Sequence, residues 1–477
     1  MIKFPKIDEK KLIIAVFLFL CAVYFSLVWN NNVWMDEAFT ASLVHTDFAG
    51  VITRSMEDTL PPLYNIILWL TTSLFGYTIP VMKITSVIPM ILTLLIGATV
   101  VRKRFGVRTA LLFMTCITFM PLMLYYGVEI RMYSLGFLFA TASGIFAYEV
   151  ICSPTRKNWI VFTCISVLAG YSHHFAFVTV AFVYFGLLLY HFIYDRKHIK
   201  NWFICLLFTF ILYAPCLIVT LRQISRVNGY FSMPDVDLAL FVQYALYPYT
   251  AGVLPASILC LLLVGAALFT AFHKTVFEKE RSTETIFAIY CFVIYYGVLL
   301  FGTVVSKLMS ANIFVDRYLF FSTGLLWLFV SVILGKNDRI YVFCYVAALI
   351  IGVCTYFVVF KTEYSESADE EIAVLRANIG EGDIFYDIGG HEEMQNCIPF
   401  YTYVDKETDE LSFVFPLERA ISVSLERGTT LWLSVMDGYE LSDKDKEMLK
   451  KNGLTLQKVA DFEFDRYKCG FFKVVEM

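Results

Sequence analysis

The sequence predicts an all-α polytopic membrane bundle of about 11 transmembrane helices, followed by a small C-terminal α/β domain outside the membrane. Three observations predict it. Of 477 residues, 58% are hydrophobic and only 17% are charged, a balance foreign to soluble domains. From Leu12 to Phe360 apolar runs succeed one another, most of them near the roughly 20 helical residues that cross a hydrocarbon core of about 30 Å. Beyond Tyr364 the composition turns polar. A membrane barrel is excluded because its period-two alternation is absent.

The runs fall at 12–29, 80–101, 109–127, 132–151, 159–173, 175–192, 202–221, 254–273, 284–305, 318–335 and 340–360. Basic residues (Lys3, Lys6, Lys10, Lys11) precede the first run, but no small-residue cleavage site follows, so it is expected to remain as a signal anchor. Segment 61–76 opens with Pro61-Pro62, tolerated in a first helical turn, and has only 16 residues. Charge decides its place. If it stays at the interface, 18 of 25 basic residues share the side of the N-terminus; if it crosses, only 10 do. Lys and Arg concentrate in cytoplasmic loops. The expectation is therefore a multi-pass plasma-membrane protein with a cytoplasmic N-terminus. Residues 1–362 form the membrane domain, with an outer loop at 30–79 and a juxtamembrane helix at 61–76, and 363–477 form an extracytoplasmic domain.

Within the tail, SADEEIAVLRANIG and LSDKDKEMLKKNG read as helices, and GDIFYDI, TTLWLSVM and GFFKVV as strands. A net charge of −4, unevenly placed, gives no support for a nucleic-acid partner. The twelve cysteines form no CxxC pair or Cys/His cluster, and ten lie in the apolar region as small core residues. Cys397 and Cys469 stand alone in the tail, and the sequence leaves open whether they are bonded.

Ionisable side chains beside a bilayer are costly, which makes them functional candidates. Asp36 and Glu37, in NNVWMDEAFTASL, are either a solvated helix cap or an acidic pair at the membrane surface. Asp58 either caps the helix after Pro61-Pro62 or is aimed with Tyr64 into a cavity. Glu129 and Arg131, in YYGVEIRMYSLG, are either one ion pair or separate site groups, with Tyr125, Tyr126 and Tyr133 as an aromatic belt. His173 and His174 interrupt apolar sequence beside Ser172, as structural histidines or as a metal or phosphate contact. Arg317-Tyr318 and Lys307 lie on the side depleted of basic residues, as do Arg222 and Arg226. They either snorkel to headgroups or meet an anionic lipid phosphate.

Taken in order, WMDEA, DTLPPLYNIILWL, YYGVEIRMYSLGF, YSHHFAF and DRYLFF resemble the GT-C glycosyltransferases related to protein O-mannosyltransferases and to the aminoarabinose and galacturonosyl transferases of lipid A, over about residues 12 to 335. The resemblance implies a hexosyl- or pentosyltransferase. It would take a sugar from a polyprenyl-phosphate donor and pass it, with inversion, to a hydroxyl-bearing lipid, glycan or protein acceptor on the outer face. It implies Asp36 as general base, Glu37 as its helper or an acceptor contact, Glu129 and Arg131 as the second acidic motif, and Arg317 at the donor phosphate. Many relatives carry His or Lys before the two prolines, where this chain has Leu60, and His173 or Lys307 would take over that contact.

The chemistry of the residues runs the same way. Glycosyl transfer needs a base for the acceptor proton and cations for the leaving phosphate. Asp36 and Glu129 offer carboxylates, and Arg131, Lys307 and Arg317 offer positive charge. Asp58, Tyr64, Tyr133, His173, His174 and Tyr318 are expected to line the substrate cavity. No cofactor is required. A divalent metal on Asp36, Glu129 and His173 would be an optional aid. The alternative is a secondary transporter or lipid flippase, which would place ionisable groups at mid-membrane in repeated halves.

Overall fold

The computed structural model describes residues 8–227, 236–280, 282–308, 313–365, 367–389, 392–404, 412–414, 416–464 and 467–477. The chain divides into two compact units. The first comprises Met1–Leu27, Ile52–Ile67 and Ile84–Phe360; the second comprises Val28–Val51, Leu68–Lys83 and Lys361–Met477.

Eight helices among the described residues have the length and apolarity to cross a membrane: Ile79–Phe105, Tyr133–Cys152, His174–Tyr194, Arg196–Gln223, Leu254–Phe277, Thr283–Leu308, Asp316–Gly335 and Tyr341–Thr362. The other three expected spans are also helical, at Glu9–Ser26, Val107–Phe119 and Arg156–Ser172, but are shorter or carry charge in their first turn. Segment 61–76 forms the helix Leu63–Phe75. Its 13 residues reach about 20 Å, short of a bilayer core.

One expected span is corrected by the structure. Run 109–127 is not continuous: the helix Val107–Phe119 stops, and a short helix, Met123–Val128, starts afresh. The cause is Pro121, which lacks a donor and crowds the preceding turn. Leu122 then takes φ +73°, a left-handed conformation that costs a non-glycine residue about 1–2 kcal/mol. The break turns the chain into Glu129-Ile130-Arg131.

Within the first unit, every residue of the helix Phe320–Gly335 is buried, as expected of a helix apolar all round. It packs against Tyr133–Cys152, Thr283–Leu308, Val107–Phe119 and Leu254–Phe272. Small residues permit the approach: a Cβ on Gly324 would fall 1.9 Å from Thr141 Oγ1. At the far end of Tyr133–Cys152, Arg104 grips Glu149 with two parallel hydrogen bonds, Nη2 to Oε2 at 2.7 Å and Nε to Oε1.

The tail forms a five-stranded sheet of β1 (Ile384–Ile388), β2 (Ser412–Phe413), β3 (Leu431–Met436), β4 (Leu454–Phe464) and β5 (Tyr467–Glu476). Its order is β2-β1-β3-β5-β4, with β1 parallel to both neighbours and β5 antiparallel to β3 and β4. The three expected strands and two expected helices are present, the helices as Asp369–Asn378 and Asp443–Lys451. Strands β2 and β4 and the helices Glu392–Tyr403 and Leu417–Arg427 complete it. Leu417, Ala420 and Ile421 share one helix face and bury against Ile384, Leu431, Leu433 and Leu449. Asp383, buried before β1, accepts from Trp432 Nε1 at 2.7 Å, Gly380 N at 2.8 Å and Thr430 N at 2.9 Å. Cys397 and Cys469 are both buried, and both are unbridged thiols.

Candidate functional site

In the first unit the break at Pro121 positions the second acidic motif. Glu129 ends the helix Met123–Val128 and is 3% exposed; its carbonyl accepts from Arg131 N at 2.6 Å, closing a tight turn before the helix Tyr133–Cys152. Arg131 and Tyr133 are buried as well. Tyr126 lies edge-on to Tyr133 at 4.8 Å and accepts a hydrogen bond from the Tyr247 hydroxyl at 2.8 Å. Burial holds the Tyr247 hydroxyl well above its ordinary pKa, with the neighbouring Tyr126 and Asp316 adding to the effect, so it remains a donor.

His173 joins the helices Arg156–Ser172 and His174–Tyr194 in extended backbone and caps the second. Its Nδ1 accepts from Phe175 N at 3.0 Å. An imidazole that accepts at Nδ1 is neutral and carries its proton on Nε2. That Nε2 is buried and has no hydrogen-bond partner among the described residues, so a donor stands ready for an oxygen. The ring stacks on Phe321 at 4.3 Å and tilts against Tyr318 at 4.9 Å. Gly136 makes room for Phe321, since a Cβ there would lie 2.6 Å from its ring. Arg131 and Arg317 are both within electrostatic reach of His173. Two guanidiniums within electrostatic reach of a neutral N–H donor suit an anion with several oxygens, such as a phosphate.

His174 lies against the Thr59 backbone and the Gln223 side chain, and Gln223 Nε2 donates to the Leu60 carbonyl at 2.9 Å. The Leu60 side chain is buried. Asp58 Oδ1 accepts from Thr59 N at 2.6 Å. Tyr64 is buried, with its hydroxyl 2.6 Å from Ser86 Oγ. Lys307 is exposed in the last turn of Thr283–Leu308, and Arg222 is exposed near the end of its helix. The Arg226 side chain lies outside the described residues.

Asp316 is absent from the sequence-based set although it stands beside Arg317. Its Oδ1 accepts from Arg317 N at 2.7 Å, and its carboxylate is within electrostatic reach of Tyr126, Tyr244, Tyr247 and Tyr295. The signal was in the sequence: an acidic residue adjoining the arginine at the start of an apolar run.

Asp36 and Glu37 belong to the second unit, in the first turn of the helix Met35–Val44. Glu37 is buried and its Oε2 accepts from Trp34 N at 3.2 Å, which makes it a helix cap. Asp36 is partly exposed. Among the described residues no group of three His, Cys, Asp or Glu side chains is placed to hold a metal ion.

No family model matches the sequence, and no curated protein does. Solved structures do match. ArnT from Cupriavidus metallidurans, in its crystal structure bound to undecaprenyl phosphate, aligns over 97% of this chain and 97% of its own with a TM-score of 0.64 at 12% identity. The apo state of that protein aligns over the same shares with a TM-score of 0.52 and 12% identity. The likeness is one of fold: a polytopic helical bundle followed by a small C-terminal α/β region, as expected from the sequence.

Proposed function

We propose that the chain is a membrane glycosyltransferase. In this reading it takes a hexosyl or pentosyl group from a polyprenyl-phosphate donor and passes it, with inversion, to a hydroxyl-bearing lipid, glycan or protein acceptor. One observation carries the reading: buried His173, with its unpartnered Nε2–H, lies in the field of Arg131 and Arg317, in a fold shared along nearly the whole chain with a protein crystallised with undecaprenyl phosphate. A transporter or flippase reading has no comparable support from the described residues.

The steps follow from charge. As the anomeric carbon–oxygen bond to phosphate breaks, negative charge grows on the leaving oxygens, and Arg131, Arg317 and the His173 N–H are assigned to meet it. Lys307, exposed at its helix end, is assigned a weaker part in the same task. Attack by the acceptor hydroxyl from the opposite face inverts the centre, and its proton passes to the Asp36 carboxylate. Glu37 holds the helix that presents Asp36, and Glu129 is assigned to the sugar or the arginines beside it. No step runs through a metal. Positive-inside counting places this chemistry and the α/β domain outside the cytoplasm, with the N-terminus inside.

The test is to incubate purified protein with a panel of polyprenyl-phosphate sugars and measure release of polyprenyl phosphate. Asp36→Asn should lower transfer by about 10²–10⁴ and leave donor binding intact. Near-normal transfer by that variant would remove the assigned base. Release from no donor in the panel, with transport of an intact lipid-linked sugar instead, would favour the flippase.

A further inference from the structure

The residues leading into Asp36, Asn30 to Trp34, have no regular secondary structure, yet three elements of the second unit grip them. Lys83, 2% exposed, turns its ammonium to this loop, donating to Asn30 O at 2.8 Å, Asn30 Oδ1 at 3.2 Å and Asn32 O at 3.4 Å. Asn31 donates to Asp369 Oδ1 at 2.5 Å and accepts from Ala368 N at 3.1 Å, which ties the loop to the start of the helix Asp369–Asn378. Tyr401, on the helix Glu392–Tyr403, is fully buried, and its hydroxyl serves both peptide groups of Val33. It accepts from Val33 N at 2.6 Å and donates to Val33 O at 3.0 Å. One residue further on, Trp34 N donates to Glu37 Oε2, and the helix bearing Asp36 begins.

A buried loop residue must satisfy its N–H and C=O somewhere. Here a single hydroxyl, 368 positions away in sequence, satisfies both. The direction of the helix Met35–Val44 is therefore set by a contact from the C-terminal domain. We propose that Tyr401 is a positioning residue for the reaction: together with Asn31 and Lys83 it fixes where the Asp36 carboxylate stands, making the α/β domain a working part of the catalytic apparatus. The proposal rests on the assignment of Asp36 as the base. Tyr401 acts through the Val33 backbone and touches no reacting atom. Reacting groups tolerate little misplacement, about 1 Å costing on the order of 100-fold, so loosening this frame lowers turnover while the donor site in the first unit is unaltered.

The experiment is a double-mutant cycle on the full-length purified enzyme, with turnover, donor KM and thermal melting measured for each variant. Tyr401→Phe keeps the ring and removes only the hydroxyl. It is expected to lower kcat by about 10- to 100-fold with donor KM unchanged. In the Asp36→Asn background the same change should cost nothing further, because there is no base left to misplace. Asn31→Ala, which loosens the loop at a different point, should behave in the same way and guards against a folding defect peculiar to one variant. Losses that multiply in the Asp36→Asn background would overturn the proposal, as would a raised donor KM at normal kcat or full activity in both variants. An Asp36→Asn enzyme with normal turnover is a different result: it removes the base assignment, and this proposal falls with it.

Discussion

Replacing Arg317 by Ala tests the proposed phosphate site most directly, and the size of its effect can be worked from the neighbours. Arg317 and Arg131 both act on His173, so the variant keeps one guanidinium and the His173 donor. Hydrogen bonds to a charged partner contribute about 1.5–3 kcal/mol. The loss should lie in the upper part of that range, because the Asp316 carboxylate, now without its neighbouring cation, would face an incoming phosphate. About 2–3 kcal/mol corresponds to roughly 30- to 150-fold weaker binding. The assay is equilibrium binding of undecaprenyl phosphate to purified protein in lipid nanodiscs, with turnover measured alongside. Both should fall, since a cation facing phosphate acts in ground and transition states alike. Asp316→Asn combined with Arg317→Ala should recover part of the affinity. Lys307→Ala, at an exposed and screened position, should change it by no more than a few-fold. Unaltered binding by a folded Arg317→Ala protein would refute the assignment of this cluster to phosphate.

Three further outcomes are expected. A cysteine placed at exposed Lys103 should resist an impermeant thiol reagent added to intact cells if that loop is cytoplasmic; Arg104 is a poor choice because it is paired with Glu149. Asp383→Ala should unfold or loosen the α/β domain, since it abandons three donors including the buried Trp432 Nε1; a loss of about 3 kcal/mol or more is expected, read by limited proteolysis and tryptophan fluorescence. Burial, aided by Asp387 and Asp461, pushes the Cys469 thiol up to about 12. It should therefore stay protonated and alkylate slowly even at pH 9, while denaturation should release both tail thiols, Cys397 and Cys469, for counting.

The site was partly legible because charge beside a bilayer is conspicuous. Asp36, Glu129, Arg131 and Arg317 interrupt long apolar runs, and no local packing rule would put them there. Their state was not legible. Nothing in YSHHFAF tells that His173 rather than His174 would cap a helix through Nδ1 and keep Nε2–H in hand. Nor does the sequence tell that Asp58 accepts from its neighbour's N–H. Tyr401, in a polar tail with no motif, gave no signal, because its importance lies wholly in its partner, Val33.

By itself the sequence determined the class of fold: the polytopic helical bundle, the short helix at 63–75 and the three strands recognised in the tail. These follow from apolar run length and from periods of 3.6 and 2, properties of neighbouring residues that need no knowledge of the rest of the chain. Tertiary structure decided the gathering of Arg131, His173 and Arg317, and the union of Val28–Val51 and Leu68–Lys83 with the tail in one compact unit. Each of these is settled by contacts between residues tens to hundreds of positions apart, where buried polar groups must find partners, and the choice of partner is a property of the packed chain and not of any local pattern.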